Sequence, residues 1–115
     1  MRSFSLLTLL LPFVVANYHT KCDCMSWTAA TDWIHNAELT HYVCLEYYPG
    51  SAKYDDTTKR CVTTDGAVID GQTWEDDCKK FGKEGYYTFR TDGHPDFSKK
   101  ALTVGAVAGS CPNKG

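Results

Sequence analysis

The chain reads as an α+β domain in βαββαβ order. This is a split βαβ sandwich with an antiparallel sheet, two helices on one face, and disulfide staples. Three observations carry that reading. Six cysteines stand in a small chain of 115 residues. Two stretches have helical spacing with caps at their ends. Between them lies Asp65-Gly66, flanked by β-prone residues.

The N-terminus "MRSFSLLTLLLPFVVANYH" has Arg2 as a positive start and an apolar core from Leu6 to Val15. Val14 and Ala16 are small residues at the positions a signal peptidase reads, so residues 1–16 form a secretory signal peptide. The core is too short to span a bilayer, which takes about 20 apolar residues. Removing 16 of 115 residues leaves residues 17–115, 99 residues in one domain. The mature chain keeps 11 Lys and Arg against 14 Asp and Glu, a net charge of −3. That balance speaks against nucleic acid as a partner and against a cationic peptide that inserts stably in membranes. No Asn-x-Ser/Thr glycosylation acceptor is present.

Tyr18 to Met25 alternates as a first strand would and carries Cys22 and Cys24 on one face. "TAATDWIHNAELTHYVCLEYYPG" follows as the first helix, capped by Ser26 or Thr28 and stopped by Pro49-Gly50. Its buried stripe is Ala30, Trp33, Ile34, Ala37, His41, Cys44 and Tyr48. In "KRCVTTDGAVID", Asp65-Gly66 reads as a two-residue hairpin turn. "DGQTWEDDCKKFG" is the second helix, capped by Asp70 or Thr73, closed by Gly82, with Trp74, Cys78 and Phe81 inside. Tyr86 to Arg90 is the last strand, and a loop-rich tail runs from about residue 91.

An even cysteine count in a small secreted chain is a disulfide framework, and six cysteines allow 15 pairings. Strand and helix directions select one. The first helix returns Cys44 to the start of the first strand, near Cys22. The second brings Cys78 to the strand's finish, near Cys24. The expected pairs are Cys22–Cys44, Cys24–Cys78 and Cys61–Cys111. A zinc site needs C-x₂₋₄-C spacings, and a redox site C-x-x-C. The single C-x-C is neither, so no metal and no cofactor is expected.

Catalysis would require a base, an acid and charge stabilisers brought together. The histidines are His19, His35, His41 and His94, with acids such as Glu38, Glu46 and Asp92. His41 lies on the apolar stripe of the first helix. "RTDGHPDF" around His94 is the one loop resembling a polar site, and turn chemistry at Asp92-Gly93 and Pro95 explains it better. We therefore expect no enzyme. Tyr47, Tyr48, Tyr86, Tyr87 and His94 are candidates for an interface, because tyrosine is favoured there. Lys59-Arg60 is a candidate dibasic processing site, read more simply as the charged edge of a hairpin.

"KCDC", Cys44 late in a first helix, "TTDG" and "WEDDCKKFG" resemble, in placement and element order, small cysteine-rich secreted fungal effectors. Among these the chain looks most like the ferredoxin-like group related to the KP6 killer toxin. The resemblance covers residues 17 to about 90. It implies a monomeric virulence effector of a plant-associated fungus, secreted and extracellular, with possible later uptake into the host cell. Such a protein acts by binding a host or fungal protein. The rival functions are a killer-type or antimicrobial toxin and a small secreted ribonuclease.

Overall fold

Strand β2, Lys21–Thr28, organises the molecule. The computed structural model describes residues 18–112, so the signal peptide lies outside the described residues. The other strands are β1 (Tyr18–His19), β3 (Asp32–His35), β4 (Ala52–Asp55), β5 (Arg60–Thr63), β6 (Ile69–Asp70) and β7 (Ala106–Ser110). The helices are α1 (Ala37–Tyr47) and α2 (Gly71–Glu84).

All pairings are antiparallel. β3 lies against Met25–Thr28 of β2, β5 against Lys21 and Cys22, β7 against Asp23–Trp27, and β4 continues the sheet beyond β5. β1 and β6 form a separate two-stranded ribbon. One edge of β2 is therefore shared end to end by β3 and β5. At the join the Thr40 hydroxyl accepts the Cys24 N–H (2.8 Å) and donates to the Asn36 carbonyl (2.7 Å). A helix side chain thus completes the ladder where the chain leaves β3.

Cys22 and Cys24 share a face of β2 by alternation. Cys61 is Cys22's partner across β5, and Cys111 falls opposite Cys22 when the β2–β7 register is extended by one residue. Those four cysteines therefore point the same way. Cys44 of α1 bonds Cys61, and Cys78 of α2 bonds Cys24, so both helices cover that face. This is a disulfide-stapled α+β sandwich with two helices on one face of an antiparallel sheet. The core holds Leu39, Val43, Ile69, Trp74 and the five cysteines Cys22, Cys24, Cys44, Cys61 and Cys78. Gly109 lets α2 settle on the sheet, since a Cβ there would lie 2.8 Å from the Glu75 backbone.

Of the expected bridges, Cys24–Cys78 is present. Cys22–Cys44 and Cys61–Cys111 are not: Cys22 bonds Cys111 and Cys44 bonds Cys61. The strand β7 is the cause. The expected tail beyond residue 91 supplies the strand that lies along β2. It sets Cys111 against Cys22 with Cα atoms 4.1 Å apart, close to the narrow spacing of a non-hydrogen-bonded antiparallel pair. Cys61, on the far side of Cys22, is left to take Cys44 from the helix above.

Other elements also shift. The final strand is Ala106–Ser110, whereas Tyr86 and Phe89 make only isolated bridges, to Leu102 and Pro95. Helix α1 starts at Ala37, and its cap is Asn36, ten residues later than Ser26, accepting the Leu39 N–H. The stretch before it forms a turn at Thr28–Thr31 and then β3, with Asp32 at φ 59°. The buried residues of α1 are accordingly Leu39, Thr40, Tyr42, Val43 and Cys44. Asp65 and Gly66 do adopt the positive φ of the expected turn, 51° and 79°. They link β5 to β6 rather than closing a hairpin, because β6 pairs with β1. Asp70 caps α2 as expected, but the helix passes through Gly82 to Glu84. Gly82 is there for closeness, since a Cβ would meet Val107 at 2.4 Å.

Candidate functional site

The face of the sheet turned away from the helices is built by the odd residues of β2 and their partners. Asp23, Met25 and Trp27 stand beside Trp33 and His35 of β3 and Arg60 of β5. Trp27 and Trp33 are a cross-strand pair at the hairpin end, 37% and 49% exposed. Ile34 points to the helix side of β3 yet is 44% exposed, because α1 starts only at Ala37 and no helix underlies the hairpin tip. The tip itself is tied by the Thr28 and Thr31 hydroxyls, 2.8 Å apart.

Further along the same face, Asp23 is buried between two partners. Its carboxylate accepts from His35 Nδ1 at 2.7 Å and Arg60 Nε at 3.4 Å. A histidine held through Nδ1 by a carboxylate has Nε2 as its free lone pair, the arrangement of an oriented base. His35 Nε2 is buried with no hydrogen-bond partner among the described residues, and all six cysteines are consumed in disulfides. Among the described residues no hydroxyl or thiol lies within hydrogen-bond reach of Nε2. What the cluster visibly does is brace β2 to β3 and β5 on the side that the disulfides do not reach. Neither His35 nor Asp23 was singled out as a site residue from the sequence. Their pairing is set by strand register, which only the placement of β3 reveals.

The interface candidates do not form one surface. Tyr47 is exposed at the end of α1 and packs on Phe81, ring centroids 5.0 Å apart. Tyr48 is half-buried against Trp74, and its hydroxyl donates to Asp77 at 3.3 Å. Burial and the Asp77 charge hold the Tyr48 phenol well above its ordinary pKa, and burial also raises that of Asp77. Tyr86 is a core residue, 3% exposed, its hydroxyl accepting from Asn36 Nδ2, so it anchors no partner. Tyr87 packs between Tyr42 and Phe97. His94 is exposed in a turn built by Asp92, whose carboxylate accepts the His94 N–H at 3.1 Å.

Lys59 is exposed in the β4–β5 turn at φ 62°. Arg60 is held by Asp23, and Cys61 beyond it is fully buried and paired on both sides. The bond after the dibasic pair is thus inside the sheet. His41 stacks between Tyr54 and Phe89, at centroid distances of 4.2 and 3.6 Å. Burial lowers its pKa, against the opposing pull of Asp56. Among the described residues no three His, Cys, Asp or Glu side chains gather as a metal site.

These features define a small cysteine-rich domain whose sheet is covered on one face by two helices. Its three disulfides fit an oxidising, extracellular setting. No family model matches the chain, and no curated protein or solved structure is significantly similar to it.

Proposed function

We propose that the chain is a secreted effector of a plant-associated fungus that acts by binding a host protein rather than by catalysis. The observation that supports this reading best is the set of large apolar groups exposed at the β2–β3 hairpin, Trp27 and Trp33 on one face and Ile34 on the other. A small soluble domain gains nothing for its own core from large apolar groups left in water, whereas tryptophan is the residue most enriched in binding hot spots. The signal peptide expected from the sequence and the three disulfides support a site of action outside the secreting cell, where a host surface is within reach.

The test is capture of host proteins by the oxidised mature chain, with Trp27→Ser/Trp33→Ser as the matched control. Growth inhibition of yeast and RNA cleavage are measured in parallel. A host protein retained by the wild type and lost with the double variant supports the proposal. Yeast killing without a host partner would make the protein a toxin. RNA cleavage abolished by His35→Ala or His94→Ala would make it an enzyme.

A further inference from the structure

The hairpin carries a second feature besides its tryptophans, an unpaired strand edge. The Asn36 N–H donates to the Cys24 carbonyl at 2.9 Å. With the register of β2 and β3, this makes Ser26–Ile34 and Thr28–Asp32 the hydrogen-bonded pairs. Trp33 and His35 then direct their N–H and C=O groups away from β2, to the outer side of β3. Those groups have no partner among the described residues.

The other outer edges are managed. The Gly109 N–H of β7 is taken by Glu75 Oε2 at 3.3 Å. β4 carries the exposed Lys53, and its Ala52 N–H is bonded to Tyr48. β3 reads Asp-Trp-Ile-His, without lysine or proline; Asp32, left-handed at the turn, and the strand's short length are its only guards, and neither covers the outward groups of Trp33 and His35.

Beside this edge, on the helix side, lies a cleft of about 330 Å³. Ile34, Tyr86 and Val104 give it apolar walls, Thr28 and Thr31 lie at the turn, and Glu38 supplies a carboxylate. No lysine or arginine lines it, and Asp32 adds a second negative charge at the start of β3. A strand laid along β3 would send alternate side chains into this cleft and the side chains between them onto Trp33, on the opposite face. A long cationic side chain suits both places. In the cleft its aliphatic stem covers Ile34 and its head meets Glu38, while the adjacent residue, on the other face, lies over the Trp33 indole, which favours cations.

We propose that β3 is the binding edge of this protein and that it takes an extended, lysine- or arginine-bearing peptide segment of its partner as an added strand. This rests on the binding-protein reading above and names the mode and the chemistry of the partner. Two residues with outward-facing backbone give the segment four main-chain hydrogen bonds. Two adjacent cations, one to each face, give it specificity.

The test uses the oxidised mature chain, isotope-labelled, and the peptide acetyl-Thr-Val-Lys-Lys-Val-Val-Thr-amide. Two controls accompany it, one with glutamate for lysine and one with alternate amides N-methylated. The expected result is a downfield shift and slowed hydrogen exchange at the Trp33 and His35 amides with the lysine peptide. The glutamate peptide should bind at least tenfold more weakly and the methylated one not at all. Trp33→Pro removes an outward N–H that the fold does not use and should abolish the effect. Glu38→Lys, on the exposed first turn of α1, should invert the preference between the lysine and glutamate peptides. Equal binding of both peptides to the wild type, or shifts confined to β4 or β7, would overturn the proposal. So would a concentration-dependent dimer lost in Trp33→Pro, which would make the edge a contact between copies. A host protein still captured through Trp27 and Trp33 while β3 ignores every peptide would defeat the edge and leave the effector reading standing.

Discussion

At Cys22 and Cys24, β2 is gripped from three sides: by β7 through Cys111, by α2 through Cys78, and by β5, itself tied to α1 through Cys44. Three to six residues on, at Trp27 and Thr28, the same strand has a tryptophan in water and no bridge. Side chains of the first half are 0% exposed on the helix face. The second half leans on β3, whose four residues are exposed or half-exposed. β7 runs beside β2 as far as Trp27, but β3 is an edge strand with no helix over it, so the hairpin tip borrows its stability from the stapled end. The division lets one end hold the fold while the other displays apolar groups and an open edge.

The sharpest test sets one tryptophan against another. Trp74 is fully buried, and its Nε1 donates to the Asp23 carbonyl at 2.9 Å. Trp74→Ala should cost about 3–5 kcal/mol. Trp33→Ala should cost less than about 1 kcal/mol, as surface truncations do. Guanidinium denaturation of the two variants measures both. Equal losses would mean that the hairpin is as much core as the stapled end.

A second comparison removes a staple. Cys24→Ala with Cys78→Ala opens the bridge that joins β2 to α2 and should lower stability by about 2–4 kcal/mol. Native-state hydrogen exchange then shows where the loss falls. Amides of β2 near Cys24 and of α2 should speed up strongly, while those of β3, an exposed edge strand outside that bridge, change little. A uniform acceleration would erase the distinction between the two ends.

Much of the stapled end was legible in the sequence. Asp70 announces α2, and Trp74 and Cys78 mark its inner face by spacing. Cys24 meets Cys78 because the direction of α2 follows from connectivity. The hairpin end was not legible, since Thr28 to His35 reads equally as the first turns of a helix. Two alanines and an amphipathic spacing favour that helix. A buried Asn36, bonded to Ser26, Tyr86 and Leu39, imposes the later start through contacts distant in sequence. The tail misled for a related reason. "VGAVAGS" is rich in small residues and looks like loop, yet smallness is what lets a strand fit under α2 at Gly109. Tyr86 to Arg90, more β-prone, found no neighbouring strand to pair with. The Asp23 cluster was hidden because register brings together residues that the sequence separates.

That cluster gives a smaller effect. Asp23→Ala leaves Arg60 and His35 without their acceptor and should cost about 1–3 kcal/mol. It should also loosen the start of β5. The bond after Lys59-Arg60 is buried in the native sheet, so a dibasic-specific protease should leave the wild type intact and cut the variant faster. Cys22, Cys24 and Cys44 precede that bond, and Cys61, Cys78 and Cys111 follow it. A cut chain should therefore run as one species without reductant and as two with it. Rapid cleavage of the native wild type would show that β5 opens far more readily than its pairing implies.

The smallest effect is one of pH, and it belongs to the stapled end. His41 is stacked between Tyr54 and Phe89, with Asp56 and Glu38 at the same cleft. Burial favours its neutral form, so its pKa in the folded chain lies below the 6.5 of an unfolded histidine, although Asp56 pulls the other way. Above pH 6.5 both states carry a neutral ring and the stack contributes fully. As pH falls through 6.5 the unfolded chain binds the proton first, and stability declines until the folded pKa is reached. The ring is only half-buried and solvent screens it, so the decline should stay below about 1 kcal/mol. His41→Phe keeps a stacked ring without a titrating group. Subtracting its stability from that of the wild type cancels the carboxylates common to both, including Asp77, whose raised pKa acts in the opposite sense at lower pH. The difference should favour the wild type progressively less as pH drops from 7 to 5. A difference that does not move, or that moves in favour of the wild type, would mean that the stack welcomes the imidazolium and that Asp56 outweighs burial.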